Sequence, residues 1–482
     1  MNQIKNKKSL RTIALVILLL SAFMDLIDTT IVNIALPSIQ RELNASSSLA
    51  QWTVDAYLIG LSIAIITGGR LGDIYGRKKV FLIGVAGFTI TSALSGFAPT
   101  VNFLIASRLM QGITAAIMVP QVLSFIQVLF KPKERAGALS AYSVVLGLAT
   151  VSGPLLSALL LSHNIFGLTW RPIFLINLPI GILAFTAGVI FLRESKSEHA
   201  AHIDVFGIII ASIALIMLLY PLIEGTNLDW PIWTYVLIAL SVLIAAVFVI
   251  YERRRMKQGK SPLMALNIFK IKSFSGGVLI SALMNLTIGG FILILTFYLQ
   301  EGLKFTPVHT ALTALPFTIA APAMASISVI KLAPMFGRKV VMWGAMLLAI
   351  GLIGIEITLS IGGMALNAWY LLPALVAAGA GMGMIVAPIA DFSLAQVEAK
   401  DAGSASGVYS MINQIGACIG VAAIGTIFFS RVNSSLNFTG FVSGGRAAIW
   451  CAAGIMLLAV PLALLLPKRI HQNAEKLDEG EY

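Results

Sequence analysis

In a chain of 482 residues of which only 11% are charged, ionisable groups inside long apolar runs are the first candidates for chemistry. Asp25 and Asp28 lie in SAFMDLIDTTIVNIALP, Ser21 to Pro37. Asp55 stands in QWTVDAY, Arg108 opens RLMQG with Gln111 three positions on, and Glu356 sits in an apolar run near the C-terminal end. A central aspartate costs about 2.5–3.5 kcal/mol on membrane-insertion scales, so such a group faces a cavity or a partner and marks an ion or substrate pathway. Its chemistry is reversible: it holds a proton or a cation and gives it up when its surroundings change. An ordinary aspartate titrates near a pH of about 3.9, and burial moves a carboxyl by about 3–5 pH units, enough for exchange near neutrality. Asp25 and Asp28, three residues apart, occupy adjoining positions on one helix face. The competing role is structural. Either aspartate, or Glu356, can simply bond to a neighbouring helix, and Arg108 can be a packing partner. Asp55 can be a cation contact or a solvated residue at a cavity mouth, beside Trp52 and Tyr57, which suit a membrane interface.

Other chemistries find no support. No GxSxG, HExxH or CxxC pattern occurs. QGKS at Gln258–Ser261 ends like a phosphate loop, but that pattern needs Gly where Arg254 stands. Cys418 and Cys451 stand singly in apolar runs, as small buried hydrophobes do. No metal, no nucleotide and no enzymatic activity are expected.

The elements that must position these groups are transmembrane helices. The chain is 58% hydrophobic with mean hydropathy +0.92, against about 45–50% in soluble domains. A span needs about 20 apolar residues. Such runs lie near Thr12–Pro37, Leu49–Gly68, Val80–Phe97, Asn102–Gln121, Gly137–Leu161, Pro172–Leu192, Val205–Ile223 and Pro231–Tyr251. Six more follow near Phe274–Gln300, Pro307–Ile330, Val340–Ser360, Trp369–Ile389, Ser404–Phe429 and Ala447–Leu466. None alternates as a barrel strand would. The expectation is an all-α integral membrane protein with 14 transmembrane helices. The net charge of +12 then reads as topology and not as a nucleic-acid surface. With the amino terminus in the cytoplasm, about 27 of the 33 Lys and Arg fall in loops on one side, and both termini are cytoplasmic. The first run follows basic residues but is too long for a signal peptide and lacks a cleavage site.

The sequence repeats weakly. Leu71, Gly76, Arg77 and Lys78 in GGRLGDIYGRKKVFLIG align with Leu332, Gly337, Arg338 and Lys339 in KLAPMFGRKVVMWG, while Asp73 meets Pro334. Such repeats characterise secondary transporters. The expected domains are a six-helix bundle over 1–192, an inserted helix pair and linker over 193–272, a second six-helix bundle over 273–467, and a cytoplasmic tail over 468–482.

Several motifs in order resemble the major facilitator superfamily, and in particular its fourteen-helix drug:proton antiporter branch. GRLGDIYGRKK resembles the superfamily's loop signature, RLMQG at Arg108–Gly112 its fourth-helix signature, and GLATVSGPLLSA at Gly147–Ala158 its fifth-helix antiporter signature. DTTIVNIALP, WRPIFLINLPIG and IDVFG are similar to stretches of the drug-exporter branch. One departure is that Ser157 and Ala158 replace the two glycines that usually close the antiporter signature; both are small enough for close helix contact.

The resemblance implies a major facilitator fold of two six-helix bundles plus two inserted central helices. It implies proton-coupled export of lipophilic, often cationic small molecules by alternating access, with protons as coupling ion and no cofactor. The alternatives are a narrow exporter of one amphiphile (a fatty acid, siderophore or antibiotic) and a non-transporting receptor or scaffold. Asp28, Asp25, Asp55 and Glu356 are the candidate proton or substrate groups, and Arg108 with Gln111 the coupling pair. Gly69, Asp73, Gly76 and Arg77 would gate the cycle, with Asp73 near the start of a late helix at Asp401. Gly147, Gly153 and Pro154 would bend the fifth helix and let the halves pack and rock. A monomer in the cell (inner) membrane is expected.

Overall fold

A backbone inside hydrocarbon has no water to bond, so each apolar run must satisfy its own amides and carbonyls by coiling into a helix. The computed structural model describes residues 2–130, 132–163, 167–196, 204–260, 263, 266–394, 396–397, 402–435 and 438–468, and among these it is helical with no strand. Thirteen helices are long and apolar enough to cross a membrane, and a shorter apolar helical segment covers Gly147–His163.

The chain divides into two compact units. The first comprises Met1–Leu263 with Thr306–Ala311, and the second Met264–Phe305 with Leu312–Tyr482. The first holds α1 (Asn2–Glu42), α2 (Ser47–Tyr75), α3 (Arg77–Gly96), α4 (Val101–Leu129), α5 (Pro132–His163), α6 (Asn177–Phe191), α7 (Val205–Glu224) and α8 (Ile232–Lys257). The second holds α9 (Lys272–Phe297), most of α10 (Pro307–Ile327), α11 (Lys339–Gly362), α12 (Leu372–Leu394), α13 (Ala402–Ser435) and α14 (Phe438–Leu457). The helices overrun the apolar windows: α1 extends well past Thr12–Pro37 at both ends. The run at Pro172–Leu192 is broken by a turn between Pro172–Leu175 and α6. Pro154 does not end α5.

Small residues set how closely helices approach. A Cβ on Gly60 would lie 2.3 Å from the Leu109 carbonyl oxygen, one on Gly68 1.9 Å from that of Ala116, and one on Gly112 2.1 Å from that of Tyr57. These glycines press α2 and α4 together. The second unit has a matching seam, where a Cβ on Gly351 would meet the Ala378 nitrogen at 2.4 Å and one on Gly381 the Leu348 nitrogen at 2.3 Å, joining α11 to α12.

The repeated motif forms the same kind of corner in each unit. Gly76 has φ 104° and Gly337 φ 57°, both in the region that only glycine enters freely. The next amide donates to the chain leaving that unit's last bundle helix: Arg77 N to the Ser195 carbonyl at 2.9 Å, and Arg338 N to that of Lys468 at 3.4 Å.

The α7–α8 pair is fastened to α2 at both ends. At one end the Trp52 indole donates to Glu224 at 3.2 Å and stacks toward Tyr220, 6.2 Å between ring centres. At the other, Asp204 caps α7 through the Gly207 amide at 3.0 Å, accepts from the Tyr251 hydroxyl at 2.9 Å and pairs with Arg255 at 3.1 Å. Buried Glu252 and Asp204 act electrostatically on Arg70 of α2.

Candidate functional site

Inside the first unit, five helices (α1, α2, α3, α4 and α6) bring polar groups to one point. Asp28 of α1 is fully buried. One carboxylate oxygen accepts from the Arg108 guanidinium of α4 at 2.5 Å. The other accepts from the Gln111 amide at 2.9 Å and from the Asn177 amide of α6 at 2.7 Å. Arg108 is 1% exposed. It also donates to the Gln111 side-chain oxygen at 2.8 Å and, through Nε, to the Thr53 carbonyl of α2 at 3.2 Å. Its guanidinium carbon lies 4.3 Å from the centre of the Tyr57 ring and 5.5 Å from that of Phe174. Asn177 continues the chain to Ser92 of α3 at 3.0 Å. A buried ion pair persists only when its remaining donors and acceptors are satisfied, and Asp28 has three donors.

Asp25 is half-buried one turn earlier and accepts from the Tyr57 hydroxyl at 2.5 Å. Tyr57 is 1% exposed. The α2 register turns it inward against α1 and α4. The reading of Asp55 as a solvated residue is corrected. It is fully buried, and neither carboxylate oxygen has a hydrogen-bond partner among the described residues. An unpaired buried polar group is expensive, which sets Asp55 apart from Asp28 with its three donors.

The motif loop takes a local form. Asp73, 40% exposed, pairs with Arg77 one turn on at 2.8 Å. The exposed amino end of α3 is capped by Glu194, which accepts from the Lys78 and Lys79 amides at 2.9 and 3.2 Å. Gly76 leaves room for that carboxylate, which a Cβ would approach at 2.6 Å. Gly69 is sterically undemanding, with Pro120 the nearest atom at 3.7 Å; it is Gly72 that would clash, against Gln121. Asp401 lies outside the described residues. Gly153 seats α5 on α1 within the first unit, where a Cβ would lie 1.9 Å from the Thr30 hydroxyl. Gly147 lies in α5 one turn and a half before it.

In the second unit, Glu356 of α11 is 5% exposed. It accepts from Arg446 at 3.1 Å and Trp450 at 3.2 Å, both on α14, and from Ser360 at 2.5 Å. A separate polar group, Ser281 and Tyr409 with hydroxyls 2.9 Å apart, joins α9 to α13. Tyr57, Asn177, Glu194, Arg446 and Trp450 were not singled out as site residues from sequence. Only Asn177 and Glu194 carried a signal, as polar residues at the two ends of the sixth apolar run.

An arginine and an aspartate buried as an ion pair among membrane-length helices are the mark of a helical membrane protein with a functional polar site. The chain matches the Major Facilitator Superfamily model over residues 18–205 and 201–421. It is 36% identical over 443 residues to the "Probable actinorhodin transporter" of Streptomyces coelicolor, covering 92% of this chain and 77% of that protein. It is 32% identical over 421 residues to the "Multidrug resistance protein Stp" of Mycobacterium tuberculosis, covering 87% and 76%. In fold it resembles an auto-inhibited POT family peptide transporter, with TM-score 0.68 at 14% identity over 94% of this chain and 96% of that one. The chain belongs to the major facilitator superfamily.

Proposed function

We propose that the protein is a proton-coupled multidrug efflux transporter that exports lipophilic, often cationic compounds by alternating access. The observation that carries this reading is the fully buried Asp28–Arg108 pair with its Gln111 and Asn177 donors. The names of the relatives, one a multidrug resistance protein and one a transporter of a single named compound, support export as the direction.

In this reading an ionised Asp28 holds Arg108. A proton arriving at Asp28 cancels the attraction and frees the guanidinium, and α4 moves relative to α1. Asp25 and Asp55 are the groups at which a cation and a proton compete: Asp25 accepts from a single phenol, and neither oxygen of Asp55 has a partner among the described residues. Glu356 contributes from the second unit. Asp73, Gly76 and Arg77, with Gly69 and Asp401, bias one conformational state. Gly147, Gly153 and Pro154 shape α5. All 14 apolar runs cross the bilayer of the cell membrane. The two bundles cover 1–192 and 273–467, and the inserted pair and linker 193–272. Both termini, including the tail at 468–482, are cytoplasmic. The working unit is a monomer, with no cofactor beyond the coupling protons. One charge crossing 100 mV is worth about 2.3 kcal/mol, so coupling to a single proton sustains a useful gradient.

The test is transport in inside-out vesicles. A fluorescent cation should accumulate on imposing a proton gradient and be released by a protonophore, and Asp28→Asn should abolish both. Uptake that ignores the gradient and requires ATP would reject the proposal. The second reading, a narrow exporter of one amphiphile, is favoured by the single-compound name of one relative. A panel of unrelated cations decides between them.

A further inference from the structure

The two acids of α1 differ in what holds them. Asp28 has three donors from α4 and α6. Asp25 is half-buried and takes a hydroxyl from α2. One side chain touches both systems. The Tyr57 hydroxyl donates to Asp25 at 2.5 Å, while the face of the same ring carries the Arg108 guanidinium at 4.3 Å. Arg108 in turn holds Asp28 at 2.5 Å. The order in space is thus Asp25, phenol, guanidinium, Asp28.

A phenol placed this way transmits charge without moving a proton. A hydrogen bond to an ionised acceptor is about twice as strong as one to a neutral acceptor. It also draws electron density onto the ring, which deepens the negative face that attracts a cation. When Asp25 is ionised and free, the ring grips Arg108 and keeps it seated. When Asp25 takes a proton or a substrate cation, the hydroxyl loses its charged acceptor and the ring face weakens under Arg108. The hold on Asp28 is then altered although nothing has touched Asp28.

We propose that Tyr57 is a positioning residue that joins Asp25 and Asp28 into one exchange unit, with Asp25 the acid that meets the arriving cation and Asp28 the acid that answers through Arg108. The proposal rests on the proton-coupled export reading and deepens it. Tyr57 stays protonated throughout. The titratable and charged groups facing Asp25 are Asp28 on its own helix, Tyr57 of α2, Arg108 of α4 and Tyr142 of α5. Of these, Tyr57 alone is shown to contact both Asp25 and Arg108 directly.

The test is a double-mutant cycle read by infrared titration of the purified protein, with the Asp28 carboxyl band assigned by its loss in Asp28→Asn. Asp25→Asn should move the Asp28 midpoint by about one pH unit with Tyr57 in place. In the Tyr57→Phe background, which keeps the ring and removes the hydroxyl, only the direct loss of repulsion between the two acids remains, so the same change should move it by an amount that differs by about half a pH unit or more. In proteoliposomes, Tyr57→Phe should raise the KM for tetraphenylphosphonium about threefold to tenfold. An equal Asp28 shift in both backgrounds overturns the proposal. Absence of proton-driven flux in the native protein would instead sink the export reading, while the infrared cycle still reports on Tyr57.

Discussion

Asp28 in the first unit and Glu356 in the second are both buried carboxylates facing an arginine, yet their partners differ. The Arg108 side chain is 2% exposed and that of Arg446 is 58% exposed. Arg108 has no access to water and is held by Asp28, Gln111 and the Thr53 carbonyl. Arg446 keeps most of its surface open, and Glu356 retains Trp450 and Ser360 as further donors. In the proposed cycle the first arrangement rests on a charge balance that one proton upsets. The second is a clasp between α11 and α14 in which Glu356 has three side-chain donors. The repeated corner shows the same divergence. Arg77 turns back to Asp73, whereas Arg338, with Pro334 in place of the acid, donates to the Leu464 and Leu466 carbonyls at 2.7 and 3.0 Å.

The strongest way to break this contrast is to remove each arginine in turn. Arg108→Ala should cost about 3–5 kcal/mol by stranding a buried charge and should abolish transport. Arg446→Ala leaves Glu356 with its Trp450 and Ser360 donors, so it should cost less and reduce flux less. Thermal unfolding in detergent and vesicle uptake measure both, and equal losses would erase the distinction. Next come the seams. Gly112→Val in the first unit and Gly381→Val in the second should each destabilise by about 1–3 kcal/mol through overpacking, and only the first should also disturb transport, because it lies beside Tyr57 and Arg108. Glu194→Ala should loosen the start of α3 by about 1 kcal/mol, the usual worth of a cap, seen as faster amide exchange at Lys78 and Lys79. The smallest effect is expected for Gly69→Ala, whose new methyl meets only Pro120 at 3.7 Å. Its melting temperature should match the native protein, and any loss of transport would then be a matter of gating and not of packing.

Much of the fold was legible because a bilayer enforces it. Span length follows from hydrocarbon thickness, and the described helices lie over the apolar runs. Asp28, Arg108 and Gln111 stood out because charge inside such a run is rare. Their partners did not. Asn177 lies 149 positions from Asp28 in the chain, and an asparagine in an apolar run announces no partner. Tyr57 follows a tryptophan and an aspartate near the start of a span, a pattern equally suited to an interface. Only the register of α2, fixed by glycines at 60 and 68 against α4, turns it inward. Gly69 carried the motif's weight in the sequence, yet the close contacts fall to Gly68 and Gly72.

The double fastening of α7 and α8 to α2 has a consequence for how this architecture can be shortened. Excising the pair would take Glu224 away from Trp52, and Asp204 and Glu252 from Arg70, in one cut. The Arg70 guanidinium would lose two acids that act on it, and the Trp52 indole its acceptor. A twelve-helix descendant of this chain would thus have to rewrite the outer side of α2 at the same time as it lost the hairpin.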